Sequence, residues 1–118
     1  MDFQVFLTPQ AERDLDRIGK HLGRDNVQAA HEFCGQLMFE AKSLRSLPRR
    51  GYAVRRQPEI RRLVFKPYLI FYKIFEAEGR IEILRFWHAA RNQRRLRLRE
   101  SQPGYAASPM TALPTAAT

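Results

Sequence analysis

Apolar residues in this chain change their period twice, from every second position to every third or fourth and back again. Phe3, Val5 and Leu7 share one face and Phe6 the other, which predicts a short strand. Thr8-Pro9 follows and reads as a helix start: a hydroxyl to accept from a free amide, then a ring with no amide hydrogen to leave unpaired. Ala11, Leu15, Ile18 and Leu22 recur at helical spacing, while Glu12, Arg13, Asp14, Asp16 and Arg17 are assigned to the outer face. Gly19 weakens this helix and Gly23 is expected to end it.

Asp25 or Asn26 can cap a second helix. Its stripe is Val27, Ala30, Cys34, Leu37, Ala41 and Leu44, widened by Phe33, Met38 and Leu47. Run from Asn26 to Leu47 and closed by Pro48, it would be roughly 33 Å long. Two amphipathic helices joined by a short link form an antiparallel hairpin whose apolar faces must cover something.

That something is a sheet. After a polar stretch from Arg49 to Glu59, Ile60 to Phe65 reads as a strand and Lys66-Pro67 as a tight turn. Tyr68 to Phe75 is apolar or aromatic at nearly every position, which marks the central, most buried strand. Glu76-Ala77-Glu78-Gly79 supplies a hairpin turn, and Arg80 to Trp87 alternates until Arg85 takes an inward-facing place. That break in pattern is where function is expected. Asn92 to Glu100 reads as a short basic helix, and residues 101–118 as a flexible tail after a single domain spanning 1–100. The expected fold class is α+β: an N-terminal strand, a two-helix antiparallel hairpin, a three-stranded antiparallel meander, then the short helix and tail.

Charge sharpens this picture. The net charge is +9. Residues 1–43 carry five Lys/Arg against seven Asp/Glu, residues 44–100 sixteen against five, and residues 101–118 none of either. The basic half suggests an anionic partner, either nucleic acid or an acidic protein segment, with an Arg-rich solvated face as the alternative. A single cysteine, Cys34, excludes an internal disulfide and suits a reducing compartment. No apolar run reaches the roughly 20 residues of a membrane span, and Met1-Asp2-Phe3 lacks a basic leader, so a cytoplasmic protein with no membrane partner is expected.

Candidate chemistry gathers near the last strand. Arg85 and Arg91 offer planar, multi-donor forks for phosphate or carboxylate on a target, with a salt bridge to Glu82, Glu59 or an acidic partner segment as the structural alternative for Arg85. His88 can serve as acid or base near neutral pH, or can be a hydrogen-bonded structural residue. The run Arg94-Arg95-Leu96-Arg97-Leu98-Arg99 can bind nucleic acid non-specifically, contact another target, or simply solvate a helix end. Tyr68, Phe71, Tyr72, Phe75, Phe86 and Trp87 fit a sheet core better than a base-stacking platform, with Tyr72 held back as an exposed hydroxyl. No Gly-rich phosphate loop and no Cys/His metal spacing appears, so neither metal nor nucleotide cofactor is expected. A plain binding module stays open beside the catalytic reading.

Arg61-Arg62-Leu63-Val64-Phe65, Tyr68-Leu69-Ile70-Phe71-Tyr72 and Ile83-Leu84-Arg85-Phe86-Trp87-His88-Ala89-Ala90-Arg91 stand in an order that resembles the RelE/ParE toxins of bacterial type II toxin–antitoxin operons. The start Thr8-Pro9-Gln10-Ala11-Glu12-Arg13-Asp14-Leu15 is similar to the family's first helix, and the resemblance spans residues 3 to 95. It implies a cognate antitoxin that wraps the toxin with an acidic C-terminal segment, forming a hetero-oligomer. Two activities are implied. ParE-like members poison DNA gyrase; RelE-like members cut messenger RNA on the ribosome. A nuclease here would draw on Arg62, Arg85, His88 and Arg91 as catalytic residues. A gyrase inhibitor would have no catalytic residues and would use Arg62, Arg85, His88, Arg91, Arg94 and Arg95 for target binding.

Pro67-Tyr68-Leu69 stands where RelE-like enzymes carry Gly-Tyr-Arg, and Arg97 lies where they carry a terminal Tyr, so two catalytic parts are missing. His88-Ala89-Ala90-Arg91 looks like the ParE-like branch. The resemblance therefore leans toward gyrase, with the messenger-RNA endonuclease as alternative.

Overall fold

The computed structural model describes residues 2–96, residue 98 and the backbone of 108–109. The chain opens on β1 (Gln4–Leu7), crosses through α1 (Pro9–Gly23) and α2 (Val27–Lys42), and enters a hairpin-linked run. That run is β2 (Tyr52–Val54), β3 (Gln57–Phe65), β4 (Tyr68–Phe75) and β5 (Arg80–His88). The backbone of β6 (Ser108–Pro109) adds to the edge of β1, so the sheet order is β2-β3-β4-β5-β1-β6. β1 runs parallel to β5, and β2 to β5 pair antiparallel in sequence. This is the expected α+β architecture.

The helix starts fall where the sequence puts them. Thr8 Oγ1 accepts from the Ala11 amide with Pro9 beginning α1, and Asn26 Oδ1 accepts from the Ala29 amide at the start of α2. Thr8 also ties α1 to the sheet: its own amide donates to the Ile83 carbonyl, and its hydroxyl donates to the same oxygen at 2.8 Å.

Both faces of β4 are covered, which explains its continuous apolar sequence. On the helix side Leu37, Ala41 and Leu44 pack with Ile70, Tyr72, Ile81 and Ile83, all fully buried. On the opposite side Ile60, Leu69, Phe71, Leu84 and Trp87 form a second buried cluster, with Val54, Leu96 and Leu98 packed against it. Leu84 has no partner on β4: Phe71 faces Arg85 and Tyr72 faces Ile83, so one extra residue bulges out of β5.

Three boundaries differ from the sequence expectation. α2 ends at Lys42 and tightens into a 3-10 turn over Ser43–Arg45, because Ser43 Oγ bonds back to the Glu40 carbonyl while Leu44 stays buried. The stretch expected to be polar loop contains β2, and β3 begins three residues earlier, at Gln57. The basic helix expected from Asn92 is a 3-10 turn over Gln93–Arg95, capped by Asn92 Oδ1, and residues 97, 99 and 100 of that expectation lie outside the described residues. The expected flexible tail also lies outside them, except for Ser108–Pro109.

Candidate functional site

β5 ends in a self-tied turn that presents Arg91. The Ala89 amide donates to the Pro67 carbonyl, the Ala90 amide to His88 Nδ1 at 3.0 Å, and the Arg91 amide to the His88 carbonyl. Trp87 Nε1 donates to the Arg91 carbonyl, and the Arg91 guanidinium lies over the indole with 4.0 Å to the ring centroid. His88-Ala89-Ala90-Arg91 is therefore one rigid device: the small alanines pass through the turn while the indole, 2 % exposed, supports an exposed guanidinium.

The bond from Ala90 fixes what His88 can do. With Nδ1 accepting an amide hydrogen, the neutral imidazole carries its proton on Nε2, so neither ring nitrogen is a free base. The Tyr68 ring meets His88 edge-on at 5.1 Å. Burial pushes the Tyr68 phenol above its ordinary range, and a charge on Cys34 would push it further, so Tyr68 stays neutral. Burial likewise raises the Cys34 thiol above its ordinary range.

Arg85, read from the sequence as a contact for an external target, turns inward. Its Nε and Nη2 grip Asp14 Oδ2 and Oδ1 at 2.6 and 3.0 Å, and Asp14 Oδ2 also accepts the Phe86 amide at 3.1 Å. Asp14 is 3 % exposed and Arg85 8 %. β1 stops at Ile83's partner, Leu7, so β5 has no strand on that side beyond the bulge, and a carboxylate from α1 takes the place of one. Asp14 was missed because it was assigned to the outer face. Its spacing from Ala11 and Ile18 was the available signal, since it falls inside the apolar stripe.

Arg62 is also separate from the imidazole. It sits opposite Phe71 on the sheet face away from the helices, whereas His88 sits opposite Tyr68 on the helix face. The expected convergence of Arg62, Arg85, His88 and Arg91 into one pocket therefore does not form. Pleat alternation separates the first, and a buried ion pair consumes the second. Arg94 and Arg95 are exposed on the 3-10 turn just past Arg91. Tyr72, held back as an exposed hydroxyl, is fully buried: it accepts from the Gly51 amide and donates to the Pro48 carbonyl at 2.7 Å.

His88 and Arg91 do share a space, and α1 forms its other wall. A groove of about 1000 Å³ runs between them, with Arg13, Arg17, His21 and Arg24 along α1 and Ile18, Tyr68 and Phe86 in the floor. These four basic residues recur at helical spacing, yet the balance of charges in residues 1–43 hid the stripe. Among the described residues, no three His, Cys, Asp or Glu side chains cluster so as to hold a metal ion, and no helix is long and apolar enough to cross a membrane.

The model of a family described as the ParE toxin of the type II toxin–antitoxin system parDE matches residues 5–93 of this chain. Among solved structures, the toxin–antitoxin complex RelBE2 from Mycobacterium tuberculosis has a chain that superposes with a TM-score of 0.59 at 22 % identity, covering 75 % of this chain and 99 % of that one. A chromosomal ParDE toxin–antitoxin system from P. aeruginosa superposes with a TM-score of 0.63 at 21 % identity, covering 73 % of this chain and 95 % of that one. No curated protein matches in sequence.

Proposed function

The chain belongs to the ParE toxin family of type II toxin–antitoxin systems, and from that premise we propose that it binds DNA gyrase and blocks its cycle, held silent by a cognate antitoxin with an acidic segment. The observation that carries the choice is the dispersal of the would-be nuclease set. Cleavage at an RNA 2′-hydroxyl needs a base, an acid and a phosphate-stabilising cation around one phosphodiester. Here Arg62 lies across the sheet, Arg85 is spent on Asp14, and His88 Nδ1 is taken by the Ala90 amide. What remains is a binding surface.

That surface is the end of the sheet. Arg91 is set by its indole shelf, His88 offers Nε2–H beside it, and Arg94 and Arg95 extend the positive charge along the following turn. A rigid guanidinium loses little freedom on contact, so it suits recognition of a carboxylate or phosphate on a large partner. Arg62 and Arg85 leave the set proposed for target contact.

The test uses purified full-length toxin freed of antitoxin, measured for inhibition of gyrase supercoiling and for cleavage of ribosome-bound messenger RNA. Inhibition with intact RNA is expected. RNA cut at the ribosome with gyrase unaffected would establish the endonuclease reading instead.

A further inference from the structure

The two sides of the sheet are guarded differently. β2, at one end of the strand order, is three residues long, and its pairing with β3 slips between Ala53 and Val54. Exposed Arg55 and Arg56 follow it. Shortness, irregular register and charge all discourage a further strand there. β1 has none of these protections: Gln4-Val5-Phe6-Leu7 carries no charge and pairs with β5 in unbroken register. The Gln4 and Thr8 amides donate to the Gly79 and Ile83 carbonyls. Phe6, midway between them, turns its backbone groups to β5 as well, so Val5 and Leu7 direct theirs to the other side.

We propose that this side of β1 is a strand-acceptor site filled in cis by the chain's own segment from Ala107 to Thr111, which keeps a second copy from pairing there. The backbone of Ser108–Pro109 stands in antiparallel register on it, Ser108 opposite Leu7 and Pro109 opposite Phe6. Ser108 thus meets a residue whose backbone groups face it, and Pro109 meets one whose groups are committed to β5. The residue without an amide hydrogen falls where none is needed. Carried one step further, the register brings Met110 opposite Val5, where the backbone groups again face outward. Charge favours the cis occupant: residues 101–118 carry no charged side chain, whereas two whole chains at +9 each repel one another. Reach is sufficient. Leu98 packs against the second core cluster, and the stretch from there to Ser108 can span roughly 30 Å. Three strand spacings, from β4 to the place of β6, need only about 15 Å. A strand tethered at that range outcompetes one on a separate molecule.

Amide hydrogen exchange in the full chain, resolved residue by residue by NMR, tests the pairing, and sedimentation tests its consequence. Two double variants carry the same number of added prolines. S108P/M110P removes the amides that face Leu7 and Val5; A107P/T111P removes amides that the register turns away from β1. In S108P/M110P the Val5 and Leu7 amides are expected to exchange at least about tenfold faster than in wild type. The Phe6 amide, bonded to β5, should stay within about threefold, which shows that the domain remains folded. A107P/T111P should match wild type at all three positions. Wild type should sediment as one chain and S108P/M110P as a larger species. Val5 and Leu7 amides that exchange equally fast in wild type and S108P/M110P would overturn the pairing, and equal losses in the two variants would overturn the register. Protection that rises with protein concentration would make a second copy the occupant and sink the cis assignment. An S108P/M110P chain that loses protection yet stays monomeric would refute the guarding role. None of these readouts involves gyrase or RNA, so they stand or fall apart from the proposed target.

Discussion

Asp14 and Arg85 lie 71 residues apart in sequence and form a bidentate pair, Nε–Oδ2 2.6 Å and Nη2–Oδ1 3.0 Å, at the point where β5 runs beyond its parallel neighbour β1. The same carboxylate takes the Phe86 amide. One side chain from α1 thus completes an edge that would otherwise hold an unpaired buried donor and an unpaired buried cation. The neighbouring Thr8 hydroxyl reaches the Ile83 and Leu84 carbonyls, so the helix start and the β5 bulge are fastened together. The bulge lies just before Trp87 and the turn that carries Arg91.

Removing one partner of this pair should therefore be severe. Asp14→Ala strands the Arg85 guanidinium and the Phe86 amide, and a loss of about 3–5 kcal/mol in urea unfolding is expected. Asp14→Leu combined with Arg85→Met should cost less than either single change, because no buried charge is left unpaired. Equal or additive losses would show that the pair is not coupled.

Tyr72 anchors the segment before β2 from inside the core. Its hydroxyl accepts the Gly51 amide at 2.9 Å and donates to the Pro48 carbonyl. Tyr72→Phe leaves both backbone groups without that partner and should cost about 1–3 kcal/mol. Gly51→Ala should be at least as costly, because a Cβ there would lie 2.7 Å from the Arg62 carbonyl oxygen and 2.8 Å from the Tyr72 hydroxyl. Thermal unfolding of the two variants checks both statements.

The same tyrosine sets an alkaline limit. Burial raises the Tyr72 phenol, outweighing the lowering by the Gly51 hydrogen bond and the nearby Arg61, Arg50 and Arg49. A raised folded value keeps the neutral form in the native state while the unfolded chain ionises. The contribution is therefore complete below the ordinary phenol value near 10 and is lost as pH rises through the folded value. Unfolding free energy should fall above about pH 10, and Tyr72→Phe should flatten that fall. An unchanged slope in the variant would assign the alkaline loss elsewhere.

How much of this was legible in the sequence follows from what each signal depends on. Both helices and β3 to β5 are readable because their apolar periods are local and long. β2 is not, since Tyr52–Val54 is too short for alternation to show among arginines. Arg85 is the instructive case. The pattern break was visible, but a single sequence does not say that Asp14 lies opposite, so a buried structural cation looked like a functional one. Pleat geometry explains Arg62 similarly: its place on a strand was legible, but which face it shared with His88 depended on the bulge at Leu84. The α1 basic stripe was visible as spacing and was passed over because it was weighed as net charge.

The central claim is that a guanidinium held over Trp87 meets DNA gyrase without cutting RNA, and supercoiling inhibition by wild-type and Arg91→Ala toxin tests it most directly. The account predicts inhibition by the wild type, a loss of about tenfold or more in the exposed-residue variant with its fold intact, and no cleavage of ribosome-bound messenger RNA by either. Gyrase left fully active by the wild type, together with RNA cleavage that disappears in Arg91→Ala, would contradict it.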